Sequence, residues 1–439
     1  LPQFDPASGN AAFAYDEDGV RHTVWMLDAA ASWNQMQALK QLGIANIALW
    51  RLGSEDPGFW DALHAARTGG TPALTRTHTI LNTGVEGTGE ILRISATPVE
   101  GHRLVTLDQA GLIRSEQYQD LPTPFVVQRA GAADPKAIAL TFDDGPDGTW
   151  TPKILDILEK AHVPATFFVI GENVLEHPGL VNRILAGGSE LGNHSYTHPN
   201  LAGASDASTA FQLNATQRVV EAYTGHRMTL FRAPYFGDAE PTTTDELLPA
   251  LSAQNAGYTV VGLHVDSEDW QRPGPDAIVQ NVLRQVHAIT PQYAGNVVLL
   301  HDSGGDRAQT VEALPRIIAA LQAEGYHFVT ASELIGVPAA QAMPPVTGDD
   351  LLAVRFDVAG FVVLAAILMA VGWAFYLAIA LGIARAILMA ANSSPGWRMM
   401  TLMAPPVVLR PNSVPCGPRS TSTRSTSNME RLLAFCRDR

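Results

Sequence analysis

The chain has 439 residues, 46% of them hydrophobic and 16% charged, with a formal net charge of −14. That length accommodates two to three domains, and the negative balance excludes a non-specific grip on nucleic-acid phosphates. Both cysteines, Cys416 and Cys436, lie near the C-terminal end, so any metal site elsewhere must be built from His and carboxylate groups.

The sequence starts at Leu1 with no signal-peptide pattern, as expected of a piece of a longer protein. Within residues 1–68, a helix-forming stretch from Ala29 to Leu42 precedes the apolar run Ile44–Trp50. This predicts a helix feeding a buried strand, one unit of a parallel α/β architecture that cannot close a core alone. Residues 69–135 change to short alternating runs separated by Gly and Pro, which predicts a small β-rich connecting module.

Between 136 and 336, apolar strands such as Ala137–Phe142, Ala165–Ile170 and Val297–Leu300 alternate with helical segments such as Thr151–Ala161. That repetition predicts a parallel α/β barrel or open sheet. Residues 337–357, Ala/Pro-rich from Pro338 to Pro345, are expected to be a linker. Val358 to Ala384 hold no charged residue, enough for one transmembrane helix. Asp349, Asp350 and Asp357 precede it with Arg355 alone opposing them, and several arginines follow from Arg385. The positive-inside bias then places the tail, 385–439, in the cytoplasm and the α/β domain outside the cell membrane. The tail is rich in Ser, Thr, Pro and Arg without an apolar period, and is expected to be disordered.

Five short stretches of the α/β region carry candidate chemistry. In Thr141–Asp147 a strand ends in the pair Asp143 and Asp144, and strand C-termini are where α/β folds place catalytic groups. Side chains of neighbouring residues diverge, so the two carboxylates are expected to serve different partners. Asn193–His198 offers His194 and His198, which with Asp144 make a two-His, one-carboxylate metal set with positions left for water and substrate. Arg232, in Phe231–Tyr235, is expected to orient a carboxylate through a two-pronged hydrogen bond. Asp266–Trp270 sets acids beside an aromatic able to flank a sugar ring, and His301 ends the apolar strand in Leu299–Gly305. Taken singly, each has an ordinary reading: an acidic turn, surface histidines, a surface ion pair, a solvated loop, a core histidine. Their joint occurrence in this order points to an active site.

On these motifs, the stretch from Lys136 to Ile335 resembles the NodB-type polysaccharide deacetylases, carbohydrate esterase family four. The resemblance implies a distorted (β/α) barrel with fewer than eight full repeats. It implies Asp143 as general base, Asp144, His194 and His198 as metal ligands, and Arg232 as support for the base. It further implies Tyr235 as an oxyanion donor through its backbone N–H, His301 as general acid tuned by Asp269, and Trp270 and Leu299 as walls of an acetyl pocket. The implied cofactor is a divalent ion, zinc above all, with cobalt or another divalent ion also suited. The implied reaction is hydrolysis of N-acetyl groups on an N-acetylglucosamine polymer: chitin-like, exported poly-N-acetylglucosamine or peptidoglycan. Two alternatives stay open, an O-acetyl esterase of the xylan type and a membrane-tethered glycan-binding module without turnover. A glycan synthase is a possible partner.

Trp25–Asp28 and Ala48–Asp56 resemble the last turns of a family-eighteen glycoside hydrolase barrel, without that family's Asp-x-x-Asp-x-Asp-x-Glu run. A deacetylase followed by a membrane span also resembles three-part bacterial proteins that end in a family-two glycosyltransferase. The tail has no nucleotide-sugar motif such as an Asp-x-Asp pair, so a truncated or frame-shifted end is expected.

Overall fold

The computed structural model describes residues 1–50, 55–79, 83–235, 237–288, 290 and 293–392. Both cysteines, the tail beyond 392 and residues 51–54 therefore lie outside the described residues. Two compact units are delimited, Leu1–Ala366 and Ile367–Arg439.

The first unit begins with strands β1 (Gln3–Asp5), β2 (Asn10–Glu17) and β3 (Val20–Met26), then helices α1 (Ala29–Gln41) and α2 (Gly58–Thr68). Strands β4 (Arg76–Thr77), β5 (Thr83–Gly87), β6 (Ile91–Ala96), β7 (Gly101–Leu107), β8 (Ile113–Asp120) and β9 (Phe125–Ala130) follow. They sort into two sheets. One is antiparallel, in the order β3-β2-β1-β8-β7-β4, so residues before and after position 68 share a single layer. Trp33 and Met36 of α1 and Phe59 and Ala62 of α2 close one core with Leu74 and Ile113. The buried Arg103 guanidinium joins the same parts, reaching Glu116 at 3.0 Å, Asp56 at 3.3 Å and Asp28 at 3.5 Å.

This corrects two expectations. Ile44–Trp50 forms no strand, and Ile44, Ile47 and Trp50 are exposed. A strand needs neighbours for its N–H and C=O groups, and the sheet of this region is instead built from β1–β3 with β4, β7 and β8. Residues 69–135 also form no separate module, because β5, β6 and β9 belong to the second sheet.

That second sheet is the frame of the catalytic region. Its elements are β10 (Ala137–Asp143), α3 (Thr151–Ala161), β11 (Thr166–Val169), α4 (Gly171–Glu176), α5 (Pro178–Ala186) and β12 (Glu190–Asn193). Next come α6 (Asp206–Thr224), β13 (Leu230–Phe231), α7 (Thr244–Asn255), β14 (Thr259–Val261) and β15 (Val265–Asp266). Then follow α8 (Pro275–Val286), β16 (Val297–His301), α9 (Ala308–Ala323), β17 (His327–Val329) and α10 (Ala331–Leu334). The parallel run β15-β16-β10-β11-β12-β13-β14 curves through the middle, and β6 adds antiparallel to β14, followed by β9 and β5. Every residue of β10 is buried, as befits a parallel strand covered on both faces. Helices such as α3 cover the outside, its Ile154, Leu155 and Leu158 facing inward and Pro152 fixing its first turn.

Among the described residues the curved sheet is not hydrogen-bonded shut between β14 and β15. Glu90, just before β6, occupies that opening. Its carboxylate accepts backbone N–H groups from His264 at 3.2 Å, Asn296 at 3.1 Å and Val297 at 3.0 Å, and its carbonyl accepts from Gly262 at 2.7 Å. It is 1% exposed.

The Ala/Pro-rich stretch is packed against the barrel. It contains α11 (Ala339–Ala342). Thr229 donates its hydroxyl to the Ala342 carbonyl, Arg227 N–H bonds the Pro344 carbonyl, and Val346 N–H bonds the Gly225 carbonyl. Unpaired loop donors thus find acceptors, and the expected linker has little slack. Helix α12 (Gly348–Asn392) begins upstream of the uncharged run and includes Asp349, Asp350, Arg355 and Asp357. Val354 and Val358 in its first turns are buried in the barrel core. In the second unit, the described part of the helix exposes large apolar side chains such as Leu368, Trp373, Phe375 and Leu381.

Replacing Glu90 by Ala leaves three buried N–H groups without an acceptor, which costs roughly 3 kcal/mol or more. Urea unfolding should show that loss for Glu90→Ala and a smaller one for Glu90→Gln. An unchanged midpoint would contradict this role.

Candidate active site

The register of β10 sets the centre. Asp143 lies opposite Phe168 of β11 on one side and His301 of β16 on the other. The chain then turns sharply, with Asp144 at φ 76°. Non-glycine residues in this left-handed region carry a cost of order 1–3 kcal/mol and gather at functional sites. Ser195 (φ 69°), His198 (φ 55°) and Tyr235 (φ 67°) share the feature around the same cleft.

Asp143 is 4% exposed. Burial pushes its carboxyl upward, against the pull of the Arg232 guanidinium and then of His301. Arg232 is itself buried and spreads its donors: Nη1 to Asp143 at 2.9 Å and to the Thr141 hydroxyl at 2.7 Å, Nε to the Val261 carbonyl and Nη2 to the Gly262 carbonyl. Its guanidinium also lies 4.3 Å from the centre of the Phe168 ring. The two-pronged grip expected from the sequence is therefore a single-nitrogen contact, because the other donors are taken by strand-end carbonyls.

His194 and His198 follow β12 in a turn rather than a helix. The Asn193 side chain accepts from Ser195 N–H and donates to the Leu213 carbonyl. Gln212 of α6 accepts the N–H groups of Tyr196 and Thr197 at 2.7 and 2.9 Å. So fixed, His194 Nε2 stands 3.6 Å and His198 Nε2 3.2 Å from Asp144 Oδ1. His194 Nδ1 lies 2.8 Å from the Arg232 carbonyl; facing an acceptor it carries the proton, which leaves Nε2 a free lone pair. Burial, ahead of the opposing Asp144 charge, pulls the His194 pKa down to about 3, so the ring is neutral.

Among the described residues these three are the one cluster whose ligand atoms all lie within 4.8 Å of one another. Asp144 Oδ1 is buried with no hydrogen-bond partner, an expensive state for a carboxylate unless a cation completes it. Two neutral imidazole nitrogens and one bare carboxylate oxygen therefore fit a divalent ion. Gly304 (φ 74°) guards the other side, where a Cβ would lie 2.5 Å from Asp144 Oδ2.

Facing this set, Asp269 is 1% exposed and holds His301 twice, Oδ1 to the ring Nδ1 at 2.7 Å and Oδ2 from the backbone N–H at 2.9 Å. Burial alone would lower the His301 pKa, but the Asp269 carboxylate outweighs it and the value rises to about 9. Thr310 of α9 donates to Asp269 Oδ2 at 2.8 Å, and Arg307 bonds the carbonyls of Ser303, Gly304 and Asp269. Behind the Asp pair, buried Asp302 accepts from Thr151 at 2.5 Å, and burial lifts its pKa to about 7.

Asp143, Asp144, His194, His198 and His301 open on one cleft of about 670 Å³, whose lining also includes Tyr235, Asp238, His264, Trp270, Tyr293 and Leu299. Tyr235 and Trp270 stand 69% and 54% exposed at its mouth, as aromatic platforms for a ring ligand would. The structure thus brings every residue singled out in the sequence into one place. Sequence reasoning missed Thr141, Gln212, Arg307, Thr310 and Tyr293. Thr141 precedes the Asp pair on β10, Gln212 and Thr310 lie on α6 and α9, and Arg307 and Tyr293 lie outside the strands and helices named above.

The family described as polysaccharide deacetylase matches residues 130–261. A peptidoglycan-N-acetylglucosamine deacetylase of Bacillus cereus is 40% identical over 204 residues, covering 46% of this chain and 88% of that protein. A chitooligosaccharide deacetylase of Sinorhizobium fredii is 38% identical over 215 residues, covering 46% and 92%. A solved family 4 acetyl xylan esterase from Clostridium thermocellum, in complex with a cobalt ion, is 32% identical with a TM-score of 0.40, covering 46% and 93%.

The His301–Asp269 pair yields a pH prediction. Its raised pKa contributes stability that is full below the ordinary 6.5 and lost as pH climbs through about 9. Asp269→Asn should move the His301 ring titration, read by NMR on metal-free protein, well below 9. A midpoint that stays put would show that Asp269 does not set it.

Proposed function

The chain belongs to the polysaccharide deacetylase family and is a hydrolase of that kind, and from this premise we propose that it removes N-acetyl groups from N-acetylglucosamine units of a glycan. The observation that carries the reading is the division of two adjacent carboxylates. Asp144 shares its bare oxygen with His194 and His198, while Asp143 is left opposite His301.

A divalent ion held by Asp144, His194 and His198, with zinc the best suited, would supply positive charge beside the attacking water and the acetyl carbonyl. The residues do the rest. Asp143, hydrogen-bonded to Arg232, accepts a proton as water oxygen bonds to the carbonyl carbon. His301, an imidazolium at neutral pH, gives its proton to the nitrogen as the carbon–nitrogen bond breaks. Acetate and a glucosamine unit result. Asp269 keeps His301 charged and oriented, Tyr235 N–H is our candidate for a donor to the developing oxyanion, and Trp270 and Leu299 would flank the acetyl group. An amine leaves poorly unprotonated, so an amide substrate suits the charged state of His301.

We also read α12 as a membrane crossing, with the catalytic unit outside and the arginine-bearing end in the cytoplasm. The uncharged run Val358–Ala384 and the acids before it support this.

The test is acetate release from N-acetylated chitooligosaccharides and from peptidoglycan fragments. Chelation should abolish release and metal add-back restore it. Asp143→Asn or His301→Ala should lower kcat by about 10²–10⁴, with His301→Ala hurting amides more than acetate esters. No release from any N-acetylated glycan with metal present would overturn the reading.

A further inference from the structure

Three aromatic rings form a row on the outside of the metal loop. Tyr196, between the two histidines, has its ring centre 6.3 Å from Phe211 of α6 and 6.4 Å from Phe361 of α12, both edge-on. Phe211 is 58% and Phe361 47% exposed. Contiguous exposed apolar side chains mark contact surfaces, and the neighbouring chain indicates for what.

The start of α12 is fastened to the catalytic unit. Val354 and Val358 lie in its core, and Arg355 Nε bonds the Ala222 carbonyl at 3.2 Å. The preceding residues 342–346 are tied to the Gly225–Thr229 segment. Phe361 therefore stands where a fixed stretch of helix gives way to an uncharged run that continues to Ala384. Aromatic side chains are favoured at the level of the lipid headgroups, and Phe361 belongs to the run that we read as entering a bilayer.

We propose that Phe211, Tyr196 and Phe361 form the face with which the catalytic unit rests on a phospholipid surface, so that the metal loop is held beside the membrane instead of swinging on a tether. This rests on the reading of α12 as a membrane crossing. The loop's fixed shape agrees with it: the Tyr196 ring packs so closely on Gly171 that a Cβ there would lie 2.3 Å away.

The test uses the full chain carrying Cys416→Ser and Cys436→Ser, reconstituted in phosphatidylcholine vesicles with one nitroxide label per variant. Phe211→Cys is the probe, Val371→Cys the reference for the span, and Gln109→Cys the aqueous reference on the exposed end of the N-terminal sheet. Acetate release should be unchanged by Phe211→Cys. The oxygen-to-nickel-chelate accessibility ratio at 211 should lie severalfold above that at 109 and below that at 371. A ratio at 211 equal to that at 109, with 371 lipid-like, overturns the resting face and leaves the anchor standing. An aqueous 371 overturns both.

Discussion

Residue 232 joins the two halves of the catalytic centre. Its guanidinium reaches Asp143, and its carbonyl faces His194 Nδ1. The first contact opposes the upward push of burial on the Asp143 carboxyl, and the second fixes which ring nitrogen of His194 is left to bind a cation. A buried ion pair costs several kcal/mol per charge in desolvation unless hydrogen bonds complete it. Thr141 and the carbonyls of Val261 and Gly262 complete this one. Loss of the Arg232 side chain would strand Asp143, and a shifted backbone would free His194 to take the wrong tautomer.

Parallel pairing explains why so few residues suffice. β10 and β16 are neighbours in register, so Asp143 and His301 emerge side by side at the strand ends. The left-handed turn at Asp144 sends the next carboxylate toward β12 and its histidines. Two adjacent acids thereby acquire unlike surroundings, one beside a guanidinium and one beside two neutral rings. Two imidazoles of the same cleft take opposite protonation states, His301 kept protonated beside the Asp269 carboxylate and His194 kept neutral by burial.

Much of this site was legible in the sequence because its residues sit in short motifs at strand ends, and a strand end fixes where a side chain emerges. The supports were not, since they come from far along the chain. Glu90 meets Val297 across 207 positions, and Thr310 meets Asp269 across 41. Arg232 was legible as a partner for a carboxylate, yet its single-nitrogen grip depends on carbonyls that only the folded sheet presents. The N-terminal region misled for a related reason. Ile44–Trp50 has strand composition, but β1 pairs with β8 and the sheet is filled by other segments. Pro338–Pro345 looked like a tether on composition alone, whereas its backbone groups are bonded to the barrel.

The central claim is that the neighbouring carboxylates have separate tasks. An anomalous-difference map from crystals soaked in cobalt or zinc tests it most directly. One peak should appear at about 2.0–2.2 Å from Asp144, His194 Nε2 and His198 Nε2, as such ligands require, with Asp143 outside the coordination sphere and still bonded to Arg232. A peak ligated by Asp143, or none among these three residues, would contradict the account.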